Sequence, residues 1–278
     1  MLKQRVITAI VLLALLLPAL FYSDAVPFAA LALVLIAAGA WEWGRLNGYG
    51  PQVCLLAGFS LLVLCAMSWD LGLLEQPLPL LWRLAGAAWV LVGAWLLRGG
   101  VAGWSGIPRL VRLVVGVLAL WLAWLAVAQA RVIGIEFLLS LLLLVWVADI
   151  GAYFSGKALG GRFSKGKLAP AISPGKSWEG VWGGMVGVLV LCLAWLAFDS
   201  SGESLYARLA DQHGLLVTLL AMIFLATFSV VGDLVESLIK RSAGVKDSSG
   251  LLPGHGGVLD RVDALLPVLP LAMMLISF

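Results

Sequence analysis

Charge and cysteine are both scarce in this chain of 278 residues. Only 12% of its residues are charged whereas 62% are hydrophobic, a balance that excludes a soluble globular protein and indicates a membrane protein. The three cysteines all lie inside apolar runs, at spacings that match neither a disulfide framework nor a zinc site. We therefore interpret Cys54, Cys65 and Cys192 as small buried hydrophobic residues.

Long apolar runs recur along the whole chain. A helix that crosses a bilayer needs about 20 predominantly apolar residues. The sequence therefore predicts an all-α polytopic membrane protein with about nine transmembrane helices. The predicted segments are 6–22, 25–43, 53–69, 80–97, 112–130, 135–154, 180–198, 214–236 and 259–277. We assign residues 1–132 to N-terminal helices, with about five spans, and residues 133–278 to a C-terminal catalytic unit.

The first segment follows Lys3 and Arg5, as the core of a secretory signal would. Eight further hydrophobic segments favour a retained first span. With the N-terminus in the cytoplasm and nine crossings, all but Arg83, Arg131 and Arg208 of the 18 lysines and arginines fall at cytoplasmic ends or loops. The positive-inside rule expects this asymmetry. The sequence thus predicts a cytoplasmic N-terminus, a periplasmic C-terminus and two cytoplasmic loops, 155–178 and 240–258.

The seventh segment carries small residues at a spacing that favours close helix packing. Gly180 and Gly184, and likewise Gly183 and Gly187, lie four residues apart, which lets helix backbones approach closely in lipid. We favour packing within one chain over a dimer contact. Glu42, between two tryptophans at the end of the second segment, either supports structure or faces a site, and we favour the structural interpretation.

Acidic side chains occur where membrane helices seldom tolerate them. Asp149 follows the apolar run 138–148, and Asp233 and Glu236 lie near the end of the eighth segment. An acid at the bilayer centre costs about 2.5–3.5 kcal/mol on insertion scales, so we expect these side chains to face protein, water or a cation. For Asp149, a plain hydrogen bond between helices is the alternative.

A spacing of i, i+3, i+4 and i+7 puts four polar side chains on one face of the eighth segment. Two further acids, at i and i+3, open the ninth segment, so two acidic helix ends can converge across a single loop. Converging carboxylates repel each other unless a cation lies between them, and oxygen ligands favour Mg²⁺. The lone histidine of the loop argues against zinc. These polar residues are Asp233, Glu236, Ser237, Lys240, Asp260 and Asp263.

The loop at 240–258 and its flanks have the composition of a phosphate-binding segment. Glycines let the backbone approach a ligand closely and adopt positive φ, and arginine can grip phosphate bidentately. Attraction to anionic lipid headgroups is the alternative, but it requires neither interleaved acids nor a Gly-His-Gly-Gly turn. The glycines are Gly250, Gly254, Gly256 and Gly257; the other residues are Lys240, Arg241, Lys246, His255 and Arg261.

The loop at 155–178 contains five basic residues and no acid. Two stretches, which start at Gly151 and Gly161, nearly match a phosphate-binding P-loop. Both lack its Ser/Thr and neither lies between a strand and a helix of a soluble domain, so we reject a P-loop ATPase. We interpret residues 173–180 as a turn and a helix start, with Ser177 as the cap. Free amide N–H groups and Lys176 could then hold an anion.

Three short patterns follow one another across the second loop. They are Ser-x-Ile-Lys-Arg at 237–241, Lys-Asp-x-Ser at 246–249 and Pro-x-His-Gly-Gly-x-x-Asp-Arg-x-Asp at 253–263. Together they resemble, without a departure, the signature of the phosphatidate cytidylyltransferases (CDP-diacylglycerol synthases). The stretches Ser-Pro-x-Lys at 173–176 and Glu-Gly at 179–180 are similar to a second motif of this family. The resemblance covers about residues 140–265, whereas the N-terminal spans are similar only in character.

The resemblance implies the reaction CTP + phosphatidic acid → CDP-diacylglycerol + pyrophosphate, with Mg²⁺, in phospholipid biosynthesis. It also implies a multi-pass protein of the bacterial inner membrane that forms a homodimer, and the predicted topology puts its active site at the cytoplasmic face. Catalysis of such a transfer is mostly positioning and charge neutralisation. We expect CTP, phosphatidic acid and membrane lipids as partners, and no nucleic acid.

These expectations give each charged residue a hypothetical role. Asp233 and Asp260 hold the Mg²⁺ that bridges the CTP phosphates, and the resemblance implies the same pair, with a second cation beside it. The catalytic basic groups are Lys240, Arg241, Lys246 and His255, which hold the triphosphate or the lipid phosphate together with Lys176. Candidates for support of the metal or for ribose and cytosine contacts are Asp149, Glu236, Asp247 and Asp263. Further substrate contacts are Ser173, Ser237, Gly256, Gly257 and Arg261.

Two other function classes fit part of the pattern. A CTP-dependent kinase, or a cytidylyltransferase for a different membrane lipid, could use the same design, because a membrane-facing groove chooses the acceptor. An ion-coupled transporter would use the intramembrane acids as its cation site. That class predicts an occluded midplane site and inverted repeats, whereas the polar clusters here lie at one face. The Asp-Gly-x-x-Ala-Arg motif of CDP-alcohol phosphotransferases is absent from the sequence.

Overall fold

The structure, a computed structural model, describes residues 2–164, 166–199 and 201–277. Lys165 of the predicted basic loop lies outside the described residues. Within the described part of the chain, ten helices and two short strands follow one another. Eight of these helices are long and apolar enough to cross a membrane. The chain is therefore an all-α polytopic membrane protein, as its hydropathy predicts.

Each of the first seven predicted segments coincides with one helix. The first six helices are α1 (Leu2–Phe21), α2 (Val26–Leu46), α3 (Pro51–Asp70), α4 (Pro79–Ser105), α5 (Arg109–Ile133) and α6 (Ile135–Leu159). They are followed by β1 (Lys167–Ala169), β2 (Ser173–Ser177), α7 (Trp178–Phe198), α8 (Leu205–Ser242), α9 (Leu259–Val262) and α10 (Leu265–Leu275). The antiparallel β1–β2 hairpin lies inside the basic loop, so the predicted turn before Ser177 is wrong: these residues form a strand. The loop also begins after Leu159 rather than at 155, because α6 continues to that residue.

Proline and serine set several of the helix starts. The helices α2, α3 and α4 carry proline in the first turn, where its missing N–H is not needed. Ser177 Oγ accepts a hydrogen bond from the Gly180 amide at 3.2 Å, which confirms the predicted cap of α7. Ser204 caps α8 in the same way through the Ala207 amide. These residues fix where membrane helices begin after the polar loops.

The helix α8 extends beyond the predicted segment 214–236 at both ends. It starts at Leu205 and bends at Gly214, whose φ of +79° is a left-handed conformation that glycine adopts easily. It then continues to Ser242, so the polar loop begins at residue 243 rather than 240. Hydropathy marks only the apolar part of such a helix, which explains why the prediction was shorter.

The predicted ninth segment, 259–277, is two short helices rather than one. A turn at Asp263 and Ala264 separates α9 from α10. Pro267 lacks an N–H and cannot donate to the carbonyl of Asp263, four residues earlier, which accounts for the interruption. The helix α10 packs against α4, α5 and α8 and is buried on most sides. It therefore forms the centre of the bundle.

The chain begins and ends at opposite ends of the helix bundle. Arg5 of α1 donates a hydrogen bond to Gly254 O at 2.9 Å, so the start of α1 lies beside the second polar loop. Arg83, at the start of α4, donates to Ser277 O at 3.2 Å at the other end. The predicted topology of nine crossings expects this arrangement, in which the short helices α9 and α10 take the place of the ninth span. The side that faces the cytoplasm stays a prediction, and so does the division of the chain at residue 132.

The helices α6 and α7 approach each other closely through their glycines. A Cβ atom at Gly184 would lie 2.7 Å from Ala148 O, and one at Gly151 would lie 2.9 Å from Gly183 O. Backbone atoms of the neighbouring helix therefore occupy the space that larger residues would need. This contact confirms that the glycine pattern serves packing within one chain, whereas the homodimer stays a prediction.

We expect Gly184→Ala to destabilise the purified protein by about 1–3 kcal/mol, because the added methyl group overpacks a backbone contact. Gly187→Ala is the matched control, since its Cβ would first meet a side-chain atom, Val147 Cγ1, at the longer distance of 3.3 Å. Thermal unfolding of both variants in the same detergent measures the difference. Equal melting temperatures for the two variants would contradict the close packing of α6 against α7.

Candidate active site

A cleft of about 670 Å³ opens between α6, α7, α8, α9 and both polar loops. Its acidic lining residues are Asp149, Asp233, Asp247, Asp260 and Asp263, and its basic lining residues are Lys157, Lys176, Lys240, Arg241, Lys246 and Arg261. Apolar side chains, among them Leu168, Val181 and Val230, complete the wall. The structure thus brings most of the predicted site residues together around one space.

Two residues of the cleft wall with functional side chains, Tyr153 and Lys157, are absent from the predicted site residues. With Asp149 they are spaced i, i+4 and i+8, so they lie on the same face of α6. The Lys157 Nζ lies 5.8 Å from the centre of the Tyr153 ring, within cation–π range. The spacing relative to Asp149 is the sequence signal that could have identified both residues.

Asp233 and Lys176 connect the two polar parts of the chain. Lys176, in β2, places its Nζ 2.6 Å from Asp233 Oδ2 on α8. Ser237, one helical turn later, donates a hydrogen bond to Asp233 Oδ1 at 3.2 Å. The side chains of Lys176 and Asp233 remain 25% and 34% exposed. A ligand in the cleft can therefore reach both charges.

Lys240 lies between two acids. Its Nζ forms an ion pair with Glu236, one turn earlier on α8, and lies 2.6 Å from Asp260 Oδ1 on α9. The Lys240 side chain is only 12% exposed and that of Glu236 only 5%. Glu236 Oε1 has no hydrogen-bond partner among the described residues. Of the predicted stripe, Asp233, Ser237 and Lys240 line the cleft, whereas Glu236 lies behind it.

Asp260 is the most densely hydrogen-bonded carboxylate of the cleft. Besides the contact with Lys240, its Oδ2 accepts hydrogen bonds from the Ser248 amide at 2.8 Å, the Ser248 hydroxyl at 2.8 Å and the Gly257 amide at 2.7 Å. Burial favours the neutral acid, but the hydrogen bonds from Lys240 and Gly257 outweigh it and hold the pKa of Asp260 below its ordinary value. The charged form is therefore stabilised beside the cleft.

The glycines of the second loop let its backbone approach carboxylates of the protein itself. Gly256 has a φ of +85°, and a Cβ there would lie 2.7 Å from Asp260 Oδ2. A Cβ at Gly257 would lie 2.1 Å from Ser248 Oγ and 2.3 Å from Glu42 Oε1. We predicted these glycines as substrate contacts, but both lie outside the cleft wall. They lie behind the cleft wall, against Asp260, Ser248 and Glu42, where a side chain does not fit.

Two predicted residues, His255 and Ser173, also lie outside the cleft wall. The His255 amide donates a hydrogen bond to Leu252 O at 2.8 Å, and its Nδ1 is buried without a partner in the described part of the chain. The carbonyls of the two preceding residues accept hydrogen bonds from Thr8 and Arg5 of α1. This turn therefore packs against α1, and Ser173 belongs to the β hairpin.

Two buried acids that the site hypothesis left out hold the loops. Glu179, which is 2% exposed, accepts hydrogen bonds through Oε1 from the Phe163 amide at 3.1 Å and the Ser164 amide at 2.8 Å. Glu42, which is fully buried, accepts hydrogen bonds from the second loop and thereby confirms the structural interpretation. Arg241 also connects the two loops, since its Nε donates a hydrogen bond to Ile172 O of the first loop at 3.4 Å.

The cleft contains oxygen donors that suit a divalent cation. In the described ranges no group of three or more histidines, cysteines or acids is arranged for a metal, and Asp233 and Asp260 each pair with a lysine. Both carboxylates nevertheless line one cleft together with Asp149 and Asp263. Mg²⁺ typically binds one or two carboxylates plus substrate phosphates. The donor set fits Mg²⁺, and the metal assignment stays a prediction.

Curated relatives match most of the chain. A Pseudomonas aeruginosa protein named phosphatidate cytidylyltransferase is 42% identical over 281 residues, which cover 97% of this chain and 95% of the relative. A Haemophilus influenzae protein of the same name is 38% identical over 291 residues, with 97% and 96% covered. A third, from Staphylococcus aureus, is 43% identical over 148 residues, about half of each chain.

A model of the cytidylyltransferase family matches residues 3–278. This match includes the helices of the N-terminal half, where the sequence contains none of the family's motifs described above. It also includes every residue of the cleft wall. The chain therefore belongs to the cytidylyltransferase family, as its resemblance to the phosphatidate cytidylyltransferases implied.

Proposed function

We propose that the protein converts CTP and phosphatidic acid to CDP-diacylglycerol and pyrophosphate. The cleft carries this proposal, because it places Asp233 and Asp260 beside Lys176 and Lys240 at one end of a bundle of membrane helices. Apolar side chains such as Val181 line the same space. A nucleotide triphosphate and the phosphate of a lipid require both kinds of surface. The names of the relatives support the same reaction.

In the proposed reaction an oxygen of the lipid phosphate attacks the α-phosphorus of CTP. A new P–O bond joins CMP to the lipid phosphate, and the bond from the α-phosphorus to the bridging oxygen breaks. Pyrophosphate leaves with the bonding electrons. Because two anions must meet, charge neutralisation and positioning dominate the catalysis. No general base is required, since a phosphate monoester is already ionised near neutral pH.

The basic side chains of the cleft are proposed to neutralise this charge. Lys176 and Lys240 already lie beside carboxylates, so each can turn part of its hydrogen-bonding capacity to a phosphate. Arg241, Lys246 and Arg261 line the same space, and arginine can grip phosphate bidentately. We assign the triphosphate and the lipid phosphate to this set.

Asp233 and Asp260 are the residues that would hold Mg²⁺, with a second cation beside it. When bound, the metal supplies positive charge to the triphosphate and to the leaving pyrophosphate. The remaining acids of the wall are proposed contacts for ribose or cytosine. These are Asp149, Asp247 and Asp263. The ion pairs of both metal candidates with lysines keep the carboxylates oriented before substrate binds.

The acyl chains are proposed to remain in the bilayer while the phosphate enters the cleft sideways. Large apolar side chains are exposed on α6 and α7 near the cleft wall, among them Ile150, Phe154 and Trp182. Such side chains suit a surface that faces lipid. We place the protein in the bacterial inner membrane, with the cleft at the cytoplasmic face, because the basic residues gather at this end.

Purified protein in detergent, with phosphatidic acid, CTP and Mg²⁺, is expected to form CDP-diacylglycerol and pyrophosphate in equal amounts. A chelator of divalent cations is expected to stop the reaction, because the triphosphate then lacks its neutralising metal. Chromatography of the lipid and an enzymatic pyrophosphate assay measure both products. Absence of a CDP-lipid would overturn the proposed reaction, and formation that is insensitive to the chelator would overturn the metal assignment.

A further inference from the structure

Glu42 connects the N-terminal half of the chain to the second loop. It lies near the end of α2, is 0% exposed, and has four donors of one segment within hydrogen-bond distance. Oε1 accepts hydrogen bonds from the Ser249 hydroxyl and from the Val258 amide at 2.9 Å. Oε2 accepts a hydrogen bond from the Leu259 amide at 2.8 Å and lies 3.1 Å from the Ser248 hydroxyl, whose single proton can go either to Glu42 or to Asp260. The carboxylate thus binds both ends of the segment 248–259 and holds them close together.

The segment that Glu42 holds is also the segment that holds Asp260. The Ser248 hydroxyl lies between the two carboxylates, 3.1 Å from Glu42 Oε2 and 2.8 Å from Asp260 Oδ2. The Gly257 amide donates to Asp260 at 2.7 Å, while a Cβ on the same residue would lie 2.3 Å from Glu42 Oε1. The loop backbone is therefore held between a buried glutamate on one side and a cleft aspartate on the other.

The loop has almost no regular secondary structure of its own. Residues 243–258, all of which the structure describes, form neither a helix nor a strand apart from an isolated bridge between Leu252 and Gly256. A buried carboxylate that accepts hydrogen bonds from backbone amides stabilises one backbone conformation strongly, because buried donors cost free energy when they lose their acceptor. Glu42 therefore stabilises the conformation of the loop, together with Asp260 and the contacts of α1 with Pro253 and Gly254.

We propose that Glu42 is a positioning residue for the reaction, which acts by holding residues 248–259 so that Asp260 and Lys240 keep their places in the cleft. This inference rests on the proposed function. Glu42 itself lies outside the cleft wall, so it acts through the loop and does not contact substrate. A residue that only supported the fold would lower stability without a selective effect on turnover.

The test compares Glu42→Ala and Glu42→Gln with a matched control. Gln129→Ala removes a buried side chain that donates hydrogen bonds to Leu73 O and Gln76 O at the opposite end of the bundle. We expect Glu42→Ala to lower kcat about 10²-fold at saturating substrates, because small displacements of catalytic groups have effects of this size. Glu42→Gln keeps one acceptor oxygen and is expected to retain more activity. Gln129→Ala is expected to lower the melting temperature and leave kcat unchanged.

Hydrogen–deuterium exchange of the same variants gives a readout that does not depend on activity. Amides of residues 248–259 are expected to exchange faster in Glu42→Ala than in the wild type, with α7 unchanged. In Gln129→Ala the loop is expected to exchange as in the wild type. If Glu42→Ala does not fold, Ser249→Ala removes a single donor to the same carboxylate and is expected to show a smaller shift in the same direction.

Unchanged exchange of the loop in Glu42→Ala, or a kcat equal to that of Gln129→Ala, would overturn the positioning role. A wild-type protein that forms no CDP-lipid would overturn the proposed function instead. Because the exchange experiment still reports on the loop in that case, the two failures are distinguishable.

Discussion

Asp260→Asn is expected to lower kcat about 10²–10³-fold, the range found when a pre-positioned electrostatic group is removed from an active site. The carboxylate accepts hydrogen bonds from Lys240, Ser248 and Gly257, and asparagine must turn its NH₂ group toward at least one of these donors. It also removes the negative charge that would bind Mg²⁺. The loop and the proposed metal site are therefore perturbed by one substitution.

Asp233→Asn should produce a comparable loss of kcat, since Asp233 is the second proposed ligand. Asp211→Asn is the matched control, because Asp211 is exposed on α8 before the bend at Gly214, and we expect it to be as active as the wild type. Initial rates at saturating CTP and phosphatidic acid measure the effect, and size-exclusion profiles verify folding. Near-normal turnover of Asp260→Asn or Asp233→Asn would assign the metal to other residues.

Lys240→Met is expected to affect stability as well as turnover. Its Nζ separates Glu236 from Asp260 in a poorly exposed part of the cleft, so its removal leaves two acids close together without a counter-charge. Removing one partner of a buried ion pair costs about 3–5 kcal/mol. Turnover should fall at the same time, because Lys240 is one of the proposed phosphate contacts. Thermal unfolding and kcat measure the two effects separately.

The double variant Lys240→Met/Glu236→Gln separates the structural contribution of Lys240 from its catalytic one. Removing the charge of Glu236 relieves the repulsion that the single substitution creates, so much of the lost stability should return. Activity should remain low, because the cation is still missing. A double variant that is as unstable as Lys240→Met would show that repulsion between Glu236 and Asp260 is not the cause of the instability.

The helices were predictable because the backbone of a chain in a bilayer can adopt few conformations other than a helix. Unpaired N–H and C=O groups are costly in lipid, so an apolar run of sufficient length must form a helix. Departures from the prediction arise from local backbone chemistry. Gly214 bends α8, and Pro267 interrupts the last segment between α9 and α10. Neither effect changes the mean hydropathy. The existence of each segment was therefore easier to predict than the residues at which its helix begins and ends.

The site was predictable where it depends on helical spacing. Asp233, Ser237 and Lys240 share one face of α8 and line the cleft as that spacing requires. The contacts of Glu42 were not predictable, because its partners lie more than 200 residues away in the sequence and no local pattern encodes them. His255 shows a second limit, since a motif contains the residue but does not reveal which way its side chain faces.

The position of the transferred phosphorus tests the central claim most directly. CTP radiolabelled at the α-phosphorus and CTP labelled at the γ-phosphorus are each incubated with the protein, Mg²⁺ and phosphatidic acid. Nucleotidyl transfer predicts that the α label appears in the lipid product and the γ label in pyrophosphate, and that both appear far more slowly with Asp260→Asn. Transfer of the γ label to lipid would instead identify a CTP-dependent kinase and contradict the account.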